Sequence, residues 1–430
     1  MTTDELVTLL GDLPVGRLRR NPQARHAPEG RLTFAYDPAW AGAEGAYPIS
    51  LSMPLALEEH GHAEIEPFLW GLLPDNEMII ERWAQRFAIS ARNAFALISR
   101  VGEDCAGAIR FARPDRVHEI AAQGHGTVDW LDERNLAERL RALRSDASAW
   151  RKAADTGQFS LAGAQPKTAL LFDGKRWGVP SGRIPTTHIL KPGTPDLDGH
   201  AENEHFCLAL AARLGLPVAR SRVEKFDDQI AIVVDRYDRL ATRGGIVRVH
   251  QEDVCQALAV HPARKYENEG GPGARAIVEL LRAHSRKPDE DVVVFIESLI
   301  FNWLIGGTDA HAKNYSLLIG AEGEARLAPL YDLASALPYA GTQSRKLKLA
   351  MKIGGKYRLY EIGAYQWEKL ARELKLPADR VQASVTRMTS AMADLASDVL
   401  RQERQRGLSH PILAKLAKAL VERARQVAAR

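Results

Sequence analysis

An α+β protein built as two lobes, strand-rich in its first half and mostly helical toward the C-terminus, is the fold class that this sequence predicts. Three observations predict it. Short alternating or apolar runs bounded by turn residues occupy residues 15–55 and recur between 159 and 235. Helical periodicity takes over beyond Gln251, and two polar, acid-bearing loops interrupt that helical part. With 430 residues, 45% hydrophobic and 26% charged, the chain is long enough for two or three packed cores and too apolar to be disordered.

Near the N-terminus, residues 31–36 alternate and residues 47–52 are bounded by Gly and Pro signals, so both are expected as strands of a small antiparallel sheet. Residues 66–74 and 76–87 are expected to be helical, and Ser90 is placed to N-cap a further helix over 93–101. The polar stretch 114–128 reads as a linker, followed by an amphipathic helix near 136–143. From Phe159 the runs 168–172, 177–180 and 187–191, with an Asp173-Gly174 turn, predict a β-meander. A helix over 201–214, stopped by Gly215 and Pro217, precedes strands over 221–226 and 229–235. Helices are expected over 291–304 and, as a pair, from Pro377 to the C-terminus.

Several function classes are disfavoured. The opening Met1-Thr-Thr-Asp-Glu-Leu is acidic and lacks the basic and apolar parts of a signal peptide, and no run approaches about 18 apolar residues. A cytoplasmic protein without membrane contact is expected. Cys105, Cys207 and Cys255 lie far apart, without zinc or disulfide spacing. A net charge of +4 argues only weakly for nucleic acid. No G-K-[ST] motif opens a helix, which disfavours a P-loop NTPase.

The chemistry-bearing segments lie on loops. Gly306-Gly-Thr-Asp309-Ala-His311-Ala-Lys313-Asn314 follows a helix and precedes an apolar strand. Phosphoryl transfer needs a carboxylate beside the attacking hydroxyl and a neutral oxygen ligand for Mg²⁺, and Asp309 and Asn314 keep the D-x-x-x-x-N spacing of a kinase catalytic loop. A second acid, Asp332 in Leu330-Tyr-Asp-Leu-Ala-Ser, follows at an interval that suits the same metal. The same residues also suit an Asx turn at Asp309 and Asn314 and a helix N-cap at Asp332. The small-residue loop Ser160-Leu-Ala162-Gly163-Ala164-Gln165-Pro166-Lys167 runs into a strand, where backbone amides can approach polyphosphate; a plain strand-entry turn has the same composition. Lys191 ends an apolar strand where a kinase carries its phosphate-binding lysine, with Glu202 and Glu204 as possible partners. Solvation would suit that lysine equally, and a helix N-terminus would suit the two glutamates. Asp235-Arg236-Tyr237 sits where strands give way to helices, suited to meet an adenine edge or to be a solvated turn. Strands with one helix, a short connection, then helices with two polar loops is the layout of a two-lobed kinase.

At these segments the sequence resembles the HipA family, the kinase components of bacterial type II toxin-antitoxin pairs. The resemblance rests on the phosphate-loop, Lys191, Asp235-Arg-Tyr-Asp-Arg, Gly307-Thr-Asp-Ala-His-Ala-Lys-Asn and Leu330-Tyr-Asp-Leu-Ala-Ser segments, on Asn203-Glu-His-Phe-Cys and His250-Gln-Glu-Asp-Val-Cys-Gln, and upstream on Leu72-Leu-Pro-Asp-Asn and Val101-Gly-Glu-Asp-Cys. It covers nearly the whole chain and implies a protein-kinase-like fold of HipA type: an N-terminal α+β domain over 1–150, a small lobe over 151–235 and a helical large lobe over 236–430. It implies that Asp309 activates the acceptor hydroxyl, that Asn314 and Asp332 hold Mg²⁺, and that Lys191 and residues 162–167 bind ATP phosphates. Asp235, Arg236 and Tyr237 would form the adenine hinge, with His311 and Tyr331 lining the nucleotide site. It further implies self-phosphorylation on Ser160, which would expel the phosphate loop. The implied partners are a HipB-like helix-turn-helix antitoxin, operator DNA mainly through that antitoxin, and a target among aminoacyl-tRNA synthetases, such as glutamyl-tRNA synthetase. A C-terminal helix bearing Lys415, Lys418, Arg423, Arg425 and Arg430 is basic, which suits a solvated helix end and, less well, an approach to DNA in such a complex. Two other functions fit the residues: a small-molecule or lipid kinase, and a co-repressor without catalysis.

Overall fold

The computed structural model describes residues 4–23, 31–121, 126–146, 149, 160, 162–194, 197–340 and 345–429. Its first unit is a five-stranded antiparallel sheet in the order Glu59–His60, Arg31–Tyr36, Leu13–Asn21, Glu5–Leu10, Ile109–Ala112. In Arg31–Tyr36 the period of two turns Leu32, Phe34 and Tyr36 inward. Helices His62–Leu72, Glu77–Phe87 and Ala94–Val101 close this core, which gathers Phe68, Leu72, Trp83, Phe95 and Ile98. Asn76 caps the second of these helices by accepting the Met78 amide. Asn93, not Ser90, caps the third, accepting from Ala96 at 3.0 Å, because the helix begins at Ala94.

Residues 47–52 are not a strand. Side chains hold them instead of a ladder: the Ile49 amide donates to the Tyr36 hydroxyl at 2.9 Å, and Ile49 O meets His250 Nε2 at 2.9 Å. Ser50 Oγ lies 2.5 Å from Glu252 Oε2, and the Leu51 amide donates to Oε1 at 2.7 Å. This segment therefore docks the N-terminal unit on the C-terminal part. Burial pushes the Glu252 carboxyl up from 4.5 to about 8. Since the folded protein then holds a proton that the unfolded chain has released, this group's contribution is full below 4.5 and is lost as pH rises to about 8. Glu252→Gln is expected to remove that slope. Melting temperature followed across the interval should fall less with pH in the variant than in the wild type; parallel curves would refute the assignment.

The second sheet has six strands, in the order Ser221–Phe226, Gln229–Asp235, His188–Pro192, Thr168–Phe172, Trp177–Pro180, Val128–Leu131. The expected meander is altered, because Thr168–Phe172 pairs with both Trp177–Pro180 and His188–Pro192. The free edge of Trp177–Pro180 is taken by Val128–Leu131, so the chain must cross to the other side. Helix Glu133–Ser145 packs Leu136 and Leu140 on Leu170, Val179 and Leu190 of this sheet. Strand Val128–Leu131 and that helix lie N-terminal to the expected division at 150, yet they join the second sheet; residues 150 and 151 themselves lie outside the described ones. The 114–128 stretch contains the short helical turns Pro114–Arg116 and Val117–Ala121.

Helix His200–Arg213, inserted between strands His188–Pro192 and Ser221–Phe226, lies between this sheet and the helical part, which is built on Ala274–His284, Pro288–Ile305, Ala364–Glu373, Ala378–Gln405 and Pro411–Ala428. Pro288–Ile305 is apolar on nearly all sides, and Phe295, Leu299, Phe301 and Trp303 are buried in the largest core. A three-stranded sheet, His250–Asp253, Ser316–Ile319, Ala325–Leu327, was not visible as periodicity. On the C-terminal helix Arg423 is committed inward, its guanidinium donating to Trp303 O at 2.8 and 3.0 Å, and Lys418 pairs with Glu422; Arg430 lies outside the described residues. Among the described residues no helix is long and apolar enough to cross a membrane.

Candidate active site

Helix Pro288–Ile305 stops at Gly306, whose φ of +65° is a backbone state that suits glycine, and the loop then returns through a 3-10 turn, Ala312–Asn314, into strand Ser316–Ile319. The loop is tied internally. The Gly307 amide donates to Asn302 O at 2.8 Å, the His311 amide to Asp309 O at 2.8 Å, and Asn314 Nδ2 to Asp309 O at 2.7 Å. The last bond engages the nitrogen of the Asn314 amide and leaves its oxygen available as a ligand. The Asp309 side chain is 71% exposed, toward the cleft. Tyr266 donates its hydroxyl to Asp309 Oδ1, and His311, edge-on to Tyr266 at 4.8 Å, puts Nε2 3.9 Å from the same oxygen. Burial pushes His311 down to about 4, so its ring is neutral at physiological pH.

From the other side of the cleft, strand His188–Pro192 turns Lys191 inward. Its ammonium donates to Glu204 Oε1 at 2.7 Å and to Asp332 Oδ1. Glu204 and not Glu202 is the partner. Burial opposes charge at both ends of this group, yet Asp332 and Glu204 hold Lys191 above its usual range, while Lys191 and Lys167 hold Asp332 well below the carboxylate range. Asp332 has φ +55°, and no helix begins at it; the next helical turn is Leu337–Ala340, so it is not an N-cap. In the phosphate loop Lys167, pushed by burial down to about 8, donates to Ala162 O at 2.6 Å, and Gln165 meets His200 Nδ1 at 3.2 Å. Gly163 has φ +103°, which a side chain would strain.

One cleft of about 510 Å³ is lined by Asp309, His311, Asn314, Tyr331, Asp332, Lys191 and Lys167, by residues 162–166 of the phosphate loop, and by Asp235, Arg236 and Tyr237. Ser160 is not on its wall: it is buried, with Oγ donating to Leu72 O at 2.6 Å. In the hinge only Tyr237 directs a ring at the site, lying 6.0 Å from that of Tyr331. The Asp235 carboxylate faces His188 at 3.2 Å and Arg222 at 3.7 Å, and the Arg236 guanidinium is buried against Asp238. The donor set fits magnesium: an amide oxygen and an ionised carboxylate are hard ligands of the kind Mg²⁺ shares with phosphates. Glu204 Oε2 and Thr194 Oγ1, both of residues that line the cleft, are buried with no protein partner among the described residues.

Four residues of this region carry contacts that the sequence reading assigned no role: Tyr266 on Asp309, Lys265 beside it, Asp75, and Asp104 behind the hinge. Asp75 and Asp104 lie in the segments 72–76 and 101–105, but their ionic partners are more than a hundred residues away.

Residues 6–112 match the family model described as the HipA N-terminal domain, and residues 159–396 match the HipA-like C-terminal domain. The chain is 37% identical over 381 residues to the "Putative kinase Y4mE" of Sinorhizobium fredii, covering 88% of each chain. It is 30% identical over 420 residues to the serine/threonine-protein kinase toxin HipA of Shewanella oneidensis, covering 93% of this chain and 91% of that one. A solved complex of HipA, HipB and operator DNA from Shewanella oneidensis contains a chain that superposes with a TM-score of 0.83 at 26% identity, over 99% of this chain and 97% of that one. The mixed α/β architecture, with its two-lobed kinase-like arrangement, is thus shared along essentially the full length, and the chain belongs to the HipA family.

Proposed function

We propose that the protein is a serine/threonine protein kinase that uses ATP and Mg²⁺ and acts as the toxin of a type II toxin-antitoxin pair. The observation that carries this reading is the meeting of Asp309, Asn314 and Asp332 with the Lys191–Glu204 pair on one cleft. Asp309, exposed and held by Tyr266, accepts the proton of the acceptor hydroxyl as that oxygen attacks the γ-phosphorus of ATP and ADP leaves. Lys191 holds the α- and β-phosphates, and the backbone amides of residues 162–165 and of Lys167, on the wall of the same cleft, are the donors for the phosphate oxygens; Pro166 has none to give. Asn314 and Asp332 would hold Mg²⁺, which when bound neutralises charge on the phosphate oxygens. Tyr237 and Tyr331 pack against the adenine.

Ser160 is the proposed site of self-phosphorylation. Its buried hydroxyl donates to Leu72 O. A phosphate there adds charge and bulk where a buried hydroxyl now sits against Leu72 O, so the loop must leave the nucleotide site. The antitoxin partner is supported by the HipA–HipB–DNA neighbour, and a synthetase target by family membership alone. Purified protein given labelled ATP and Mg²⁺ is expected to label itself or glutamyl-tRNA synthetase. No transfer to either by the wild type would overturn the reading.

Tyr266→Phe keeps the ring beside His311 and removes only the donor to Asp309. A hydrogen bond to a charged group contributes about 1.5–3 kcal/mol when shielded. At this exposed carboxylate a loss of about 1.4 kcal/mol, or roughly tenfold in the saturating rate, is expected. The ATP concentration at half-rate should stay within about twofold. An unchanged saturating rate would show the phenol to be idle.

A further inference from the structure

Residues 72–75 of the N-terminal unit lie against both loops of the cleft. On the phosphate-loop side Leu72 O accepts Ser160 Oγ at 2.6 Å, and the Asp75 amide donates to Gly163 O at 3.3 Å, with Pro74 and Gly163 bridged as short parallel partners. On the catalytic-loop side the Asp75 carboxylate takes two ammonium groups, Lys313 Nζ on Oδ1 and Lys265 Nζ on Oδ2, each at 2.7 Å. The side chains of Asp75 and Lys313 are 9% and 4% exposed. Burial opposes the carboxylate charge, but Lys313 and Lys265 hold Asp75 down to about 2, so it is ionised under all working conditions.

What the two lysines adjoin gives this pairing its meaning. Lys313 directly precedes Asn314, and its carbonyl accepts the Tyr331 hydroxyl at 2.7 Å. Lys265 directly precedes Tyr266, which holds the Asp309 carboxylate, and its carbonyl accepts the Ala312 amide at 3.3 Å. One side chain from far upstream thus fixes the immediate neighbours of the metal-binding amide and of the group that orients the base. The backbone of the same residue holds the phosphate loop. Lys313 cannot compensate its loss with water, because it is enclosed.

Resting on the kinase reading above, we propose that Asp75 is a positioning residue for phosphoryl transfer, through which the N-terminal unit registers the catalytic loop against the phosphate loop. The N-terminal unit is then part of the active site and not only a platform for partners. Asp75 touches no reacting atom. It acts by keeping Asp309 and Asn314 at their places, and misplacement by about 1 Å at a reacting centre costs on the order of 10²-fold in rate.

The test is Asp75→Asn in the full chain, assayed for transfer of labelled phosphate to itself or to glutamyl-tRNA synthetase across a range of ATP concentrations, beside the wild type and Asp309→Asn. The saturating rate should fall about 10²-fold, with the ATP concentration at half-rate changed by no more than about threefold. Asp75→Glu should recover part of the rate. Lys265→Met should lower the rate as well, and the double variant Asp75→Asn/Lys265→Met should be no slower than the slower single one, since both cut one link. Should Asp75→Asn fail to fold, Lys265→Met alone decides by the same split of rate against half-saturation. A wild-type rate in the decisive variant, with Asp309→Asn inactive, overturns the proposal and leaves the kinase reading standing. Absence of transfer by the wild type overturns the reading itself.

Discussion

Replacing Asp309 by asparagine is expected to lower the rate of phosphoryl transfer by roughly 10²–10⁴-fold, the usual contribution of a positioned proton acceptor. The substitution changes little else. Asparagine has the shape of aspartate, its oxygen still accepts from Tyr266, and the backbone carbonyl that receives Asn314 Nδ2 and the His311 amide is untouched. The side chain is 71% exposed, so stability should stay within about 0.5 kcal/mol of the wild type. What the variant loses is a site for the proton of the attacking hydroxyl. Single-turnover transfer from labelled ATP, with melting temperature measured in parallel, separates the two effects. A variant as stable as the wild type and equally fast would mean that Asp309 is a turn residue and that the chemistry lies elsewhere.

Why that segment could be read from the sequence while others could not is a matter of distance along the chain. Asp309, His311 and Asn314 lie within one loop whose conformation is set by bonds among its own members, so spacing alone reports their proximity. The strands Ser221–Phe226 and Gln229–Asp235 were legible for a similar reason: they form a hairpin, and the pairing of Phe226 with Gln229 is local. Residues 47–52 have the composition of a strand, but their partners are the side chains of Tyr36, His250 and Glu252, and no periodicity encodes those. The meander failed at a topological choice that Val128–Leu131 decides from upstream. Ile109–Ala112 carries the buried Arg110 amid three apolar residues, a pattern that reads as neither strand face. In the cleft, Lys191 could be placed by its strand, but the choice of Glu204 over Glu202 depends on helix rotation against the sheet. The ionic partners of Asp75 and Asp104 lie more than a hundred positions away, and a single sequence holds no trace of such pairings.

Asp104→Ala is expected to cost about 3–5 kcal/mol, the penalty for removing one partner from a buried ionic group. Asp104 comes from the N-terminal unit and reaches three guanidinium groups of the hinge region: Arg239 at 2.9 Å, Arg248 at 3.2 Å and Arg236 at 3.7 Å. It also accepts the Thr186 amide at 3.1 Å and hydroxyl at 2.8 Å. Burial opposes its charge, but Arg239, Arg248 and Arg236 hold the carboxyl far below its usual range. The second carboxylate here, Asp238, already pairs with Arg236 at 2.8 Å and Arg239 at 2.9 Å. Without Asp104, three enclosed cations face one anion, and Arg248 and Thr186 lose a partner. A loss of that size is a large share of the roughly 5–15 kcal/mol that holds a typical domain folded. Asp104→Asn keeps an acceptor for Thr186 and removes only the charge, so its cost should fall between wild type and alanine. Urea unfolding of the three proteins orders them. Because Arg236 adjoins Tyr237, the alanine variant should also bind nucleotide more weakly at temperatures where it remains folded. Stability within about 0.5 kcal/mol of wild type, the range of an ordinary surface change, would mean that the arginines are satisfied without Asp104.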